Sequence, residues 1–140
     1  MNYFDEEVMT NLNNFNMTFE VLTEAEHVSI IRNINENVPF SGNKVAWDKL
    51  SASNHFGLTS SDLAISNLAK EVQKFNDNNL IFISDSACDE AYPINLMHID
   101  KALSIFSEIP QHTYIVSKSL TWIACIASEG DLDFARPLLK

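Results

Sequence analysis

A chain of 140 residues with 19 Asp and Glu against 9 Lys and Arg carries a formal net charge of −10. With no basic stripe to release counterions from a phosphate backbone, it is excluded as a direct nucleic-acid binder. A hydrophobic fraction of 46% with three Gly and four Pro excludes disordered and collagenous classes, and the length fits a single domain over residues 1–140.

Phe4, Val8, Leu12 and Phe15 recur at helical spacing and predict a first helix ending near Asn16, its other face acidic. Thr23 and Glu26 have capping-box spacing, and Val28, Ile31, Ile34 and Val38 continue as an apolar stripe that Pro39 ends. From Phe40 to Gly57 the chain reads as irregular, with one helical turn within Val45 to Leu50. Thr59 and Asp62 repeat the capping pattern ahead of a third helix, whose apolar face is Leu63, Ile65, Leu68, Val72 and Phe75 and whose stop is Asn76 to Asn79.

Leu80 to Ile83 is a run of strand formers predicted as a buried central strand, and Asp85 to Tyr92 as the loop that leaves it. Leu96, Ile99, Leu103, Phe106 and Ile109 define a fourth helix ended by Pro110. The alternating runs His112 to Lys118 and Leu120 to Ser128 predict a hairpin across Lys118 and Ser119. Glu129 to Asp131 supplies a second turn, and Leu132 with Phe134 a last strand closed by Pro137. The fold class that follows is α+β, with N-terminal helices packed on one face of a small, mainly antiparallel C-terminal sheet.

The longest uncharged apolar stretch, Ser119 to Ser128, is half of the roughly 20 residues a membrane helix needs. The start from Met1 to Glu7 is acidic where a secretory or transit signal is basic, so a cytoplasmic location is expected. Cys88 and Cys125 read as reduced thiols rather than a disulfide framework.

Residues that carry chemistry are sparse. His27, His55, His98 and His112 form no H-x-x-x-H and have no zinc-finger spacing to a cysteine, so no metal and no cofactor is expected. His55, or His98 with Asp100, joins a site only through tertiary contact. The segment Ser84 to Glu90 follows the best strand, where open α/β sheets place ligands, which brings Cys88 forward as a nucleophile. Asp85, Asp89 and Glu90 beside it disfavour the thiolate, and no Gly-rich loop is present to hold a phosphate that would share Mg²⁺ with them. That leaves a solvated acidic loop or a partner-binding patch with Tyr92 as its aromatic anchor.

Three acidic runs lack a Lys or Arg neighbour: the stretch before Arg32, the stretch between Lys74 and Lys101, and the turn with Glu129, Asp131 and Asp133. Unopposed charge of this kind serves solubility or a basic partner. Trp122, in an apolar strand, reads as core, and Trp47, in the irregular region, as exposed.

The segment from His112 to Trp122, continuing through Glu129, Gly130 and Asp131 to Phe134, resembles the closing meander of immunity proteins from bacterial contact-dependent growth inhibition and related polymorphic toxin systems. The resemblance covers the C-terminal third and rests on a Trp strand, an Glu-Gly-Asp turn and a Phe. It implies a small, acidic, cytoplasmic protein, not an enzyme, that binds a cognate toxin domain, often a basic nuclease, and occludes its active site or substrate surface. It transfers no binding residue by position. The acidic runs themselves nominate Asp85, Asp89, Glu90, Tyr92, Glu129 and Asp131 as partner-binding. The alternatives are a small hydrolase or transferase using the Asp85 to Glu90 loop, and an adaptor or assembly subunit without a toxin.

Overall fold

The computed structural model describes residues 2–17, 20–41, 44–58, 62–75, 79–84, 88–109, 112–127 and 130–136. In chain order these form helices α1 (Tyr3–Asn14) and α2 (Glu24–Asn37), short strands β1 (Phe40–Ser41) and β2 (Lys44–Val45), and a 3-10 turn Trp47–Lys49. Strand β3 (Ser51–Leu58), helix α3 (Asp62–Gln73), and strands β4 (Asn79–Ser84) and β5 (Ala91–Asn95) follow. Helix α4 (Ile99–Ser107) then leads into the meander β6 (Thr113–Val116), β7 (Ile123–Ile126) and β8 (Asp131–Arg136). The class is α+β: β1 pairs with β2, and the other strands form a six-stranded sheet of order β3-β8-β7-β6-β4-β5, antiparallel at every pairing.

Local chemistry explains most of the elements. The Asn2 side chain accepts the Asp5 N–H at 2.9 Å and caps α1. At the start of α2 the Thr23 Oγ1 accepts the Glu26 N–H at 3.2 Å and donates to the Glu26 carboxylate at 3.0 Å, the expected capping pair. The buried stripe of α2 differs from the expected one: Ile30, Ile34 and Val38 go inward, while Val28 and Ile31 are exposed, because a strict four-residue repeat tracks one face of the helix more closely. On α3, Ala64, Leu68 and Val72 are buried and Leu63 is exposed; the Thr59 end of the expected capping pair lies outside the described residues.

Two expectations about the edge strands are also corrected. The stretch read as irregular contains β3, an edge strand whose register shifts between Ser51 and Asn54 and again between His55 and Gly57, the latter at φ +96°. Such bulges break the two-residue alternation by which a strand is recognised. The loop expected to extend to Tyr92 ends at β5, where Pro93 lies opposite Ile81 on the other edge of the sheet; an edge strand tolerates the missing N–H.

Strand β4 is internal, between β5 and β6, and is buried from Leu80 to Ser84. Leu80 and Phe82 point into one core, with Val8 and Leu12 of α1, Leu68 and Val72 of α3, and Phe106 of α4. Ile81 and Ile83 point into the other, with Ile30 and Ile34 of α2, Val45 and Leu50. The helices therefore cover both faces rather than one, as a strand apolar on both sides requires. Phe82 stacks on Phe106 at 4.7 Å and Trp122 on Phe134 at 6.0 Å; all four are essentially inaccessible, and burying such a side chain contributes roughly 1.5–3 kcal/mol. Trp122 is core, as expected. No described helix is long and apolar enough to cross a membrane.

Candidate functional site

The register fixes which ends of the strands meet. Ser84 lies opposite Thr113, Thr113 opposite Ile126, Ile126 opposite Leu132, and Asp131 opposite Leu58, while Ala91 lies opposite Ile83. The end of β4 and the starts of β5, β6 and β8 thus share one end of the sheet. Asp89 and Glu90, just before β5, and Asp131, at the start of β8, come to that end together. Between β5 and β8 lie four strand steps of about 4.8 Å, or roughly 19 Å. Among the described residues of the six-stranded sheet and its turns, two cations lie at the opposite end: Lys118 in the β6–β7 turn, where it meets Glu26 at 3.4 Å, and Arg136 at the close of β8, over the Phe75 ring at 4.8 Å.

The approach to β5 is organised by a buried carboxylate that sequence reasoning assigned to an acidic helix face. Asp5, in the first turn of α1, is fully buried. It accepts the backbone N–H groups of Asp89 at 2.8 Å and Glu90 at 3.2 Å, and the Tyr92 hydroxyl at 2.5 Å. A helix N-terminus favours an anion, and these donors, with the Cys88 thiol that also bonds Asp5, replace the water the carboxylate gives up. Asp89 and Glu90 are thereby held through their main chain, which leaves Asp89 exposed and Glu90 half-buried.

The same node removes Tyr92 from the surface. Its ring is fully buried between the Asp5 carboxylate and Phe106, 5.8 Å away, so the expected aromatic anchor is corrected to a core residue. Burial, then the Asp5 hydrogen bond and charge, keep its phenol protonated far above the ordinary range. Cys88 is buried beside it, and its thiol is pushed up to about 12 by burial first, then by the charges of Asp5 and Asp89. A thiol so held is a poor nucleophile. Asp85 and Glu129, the remaining expected binding residues, lie outside the described residues.

A second feature was visible in the sequence only as fragments. Tyr114, Cys125, Asp133 and His55 stand opposite one another across β6, β7, β8 and β3, one row on the α2-side face. Asp131, two residues before Asp133, shares that face. His55 Nδ1 is 2.9 Å from Asp133 Oδ1, and Nε2 is 3.7 Å from Asp131 Oδ1. The Asp133 hydrogen bond and then its charge raise the imidazole's pKa above its ordinary value of 6.5. These residues border a cavity of about 190 Å³ whose further walls include Trp47 and Val45. His112, buried, also lines it. Trp47 is half-buried rather than exposed.

His55 thus joins a site through tertiary contact, on a strand and not in a loop. The signal that could have found its partners is the Asp131/Asp133 spacing, which on a strand puts two carboxylates on one face. Among the described residues no group of three or more His, Cys, Asp or Glu is arranged to hold a metal ion. In comparison with known families and curated proteins, no family model and no curated protein matches the chain.

Proposed function

We propose that this chain is an immunity-type protein: a cytoplasmic, non-enzymatic inhibitor that binds a basic toxin domain, such as a nuclease, and occludes its active site or substrate surface. The observation that carries this reading is the segregation of charge along the six-stranded sheet, among the described residues. Asp89, Glu90, Asp131 and Asp133 gather toward one end of the sheet, and Lys118 and Arg136 lie at the other. Acids spread over roughly 19 Å suit a protein surface better than a single small substrate. Opposite potentials steer encounter and can lift association to about 10⁸–10⁹ M⁻¹s⁻¹ at low salt. The protonated thiol of Cys88 and the commitment of the Asp89 and Glu90 amides to Asp5 favour binding over the hydrolase or transferase alternative at this loop.

The test is co-expression with the domains encoded by the neighbouring genes, each first assayed for toxicity. The expected result is survival of cells that otherwise die, together with a one-to-one complex on co-purification. Equal killing with and without this protein would refute the reading.

A further inference from the structure

We propose that the cavity between Trp47, Tyr114, Asp131 and Asp133 is a receptor for one guanidinium group, the side chain of an arginine presented by the basic partner. The inference rests on the partner-binding reading above and names what that partner would insert.

Size comes first. At about 190 Å³ the cavity falls below the roughly 300–1,000 Å³ of sites for drug-sized ligands and cofactors, and it accommodates one side chain. Chemistry comes second. Its wall carries two carboxylates from alternate positions of β8, whose Cα atoms stand roughly 6.7 Å apart on an extended strand and whose Oδ1 atoms both reach the one His55 ring. A planar fork with five donors spans such a pair, whereas an ammonium is a compact point charge. The aromatic walls, Trp47 from the 3-10 turn and Tyr114 from β6, suit the flat face of a guanidinium and the methylenes behind it.

His55 already lies against this carboxylate pair, but through the Oδ1 atom of each residue. The described contacts leave the two Oδ2 atoms for a second donor. Asp131 keeps an accessible side chain, 41% exposed, while Asp133 is 20% exposed. One carboxylate is thus open for first contact and the other is partly desolvated, where a charge-assisted hydrogen bond is stronger. Cys125, Val45 and Ala127 complete an apolar wall.

The experiment is an amide-resolved NMR titration of the intact protein with N-acetylarginine amide, and with the amide of N-acetylcitrulline, which has the same shape without the charge. Saturable shifts are expected at the Trp47 indole N–H and at the amides of Ala127 and Asp133 with the arginine compound alone. The double variant Asp131→Asn with Asp133→Asn should weaken that response by roughly tenfold or more. Where the double variant loses its native spectrum, Trp47→Ala serves in its place and should weaken the response likewise. Absence of a saturable shift, an equal response to citrulline, or an undiminished response in a folded variant each overturns the proposal. A toxin domain that binds this protein while the arginine amide does not removes the cavity proposal alone. An arginine amide that saturates the cavity while no toxin partner is bound or neutralised keeps the cavity and removes the immunity reading.

Discussion

The Asp5 carboxylate and the Tyr92 hydroxyl meet at 2.5 Å, across 87 positions of sequence, in a site closed to solvent. That contact ties the first turn of α1 to strand β5 and draws the Asp89 and Glu90 amides onto the same carboxylate. An acidic loop at a negatively charged sheet end is thereby held by yet another acid, through main-chain donors that carry no charge of their own.

Asp5→Ala should therefore destabilise far more than any surface acid. It leaves two amides and a phenol without their acceptor, and one unsatisfied buried donor alone costs about 1–3 kcal/mol. A loss of roughly 3 kcal/mol or more is expected for Asp5→Ala, and about 1–2 kcal/mol for Tyr92→Phe, which removes a single donor. Urea denaturation midpoints of the two variants measure this; a loss for Asp5→Ala no larger than that for Glu6→Ala, at an exposed neighbour, would contradict it.

Cys88 should be chemically quiet. With its thiol pushed up to about 12 and its side chain buried, it should react with a disulfide reagent near neutral pH only as fast as the protein opens. Under the proposed immunity function, Cys88→Ser should protect cells as well as the parent does. Rapid labelling of Cys88 in the folded protein, or loss of protection in a folded Cys88→Ser variant, would return weight to catalysis.

His55 should make stability depend on pH with a definite sign. Its folded pKa is raised by Asp133, so its contribution is fully present below the unfolded value near 6.5 and is lost as pH rises through the folded value. The imidazole is largely exposed, which keeps the effect small. The melting-temperature advantage of wild type over His55→Gln should shrink between about pH 6 and about pH 9. A constant or growing advantage over that range would show that Asp133 does not stabilise the imidazolium.

The acids at the sheet end should act on association. Converting Asp89 and Glu90 to Asn and Gln, together with Asp85→Asn outside the described residues, keeps the Asp89 and Glu90 backbone donors to Asp5 and removes only charge. Association with the proposed toxin partner should slow by roughly tenfold at low salt and its salt dependence should flatten. Asp131→Asn should slow association in the same direction. Unchanged rates and salt slopes, measured on an immobilised partner, would make these acids solvating groups and place the interface elsewhere.

Periodicity, capping and charge were legible along the chain. The apolar repeats of α1, α3 and α4, the Thr23–Glu26 cap, the β6–β7 hairpin and the core role of Trp122 all arise from neighbours within a turn or a strand, where local sequence carries the physics. Strands β3 and β5 escaped because two register shifts hide the alternation of one and Pro93 interrupts the other. The site lay beyond local reading for a different reason. Asp5 meets its donors 84 to 87 positions away, and His55 meets Asp133 at a separation of 78. No period or motif relates such residues; only the packing of α1 on the sheet and the docking of β3 against β8 decide that one acid is buried, that Tyr92 leaves the surface, and that two carboxylates face a cavity.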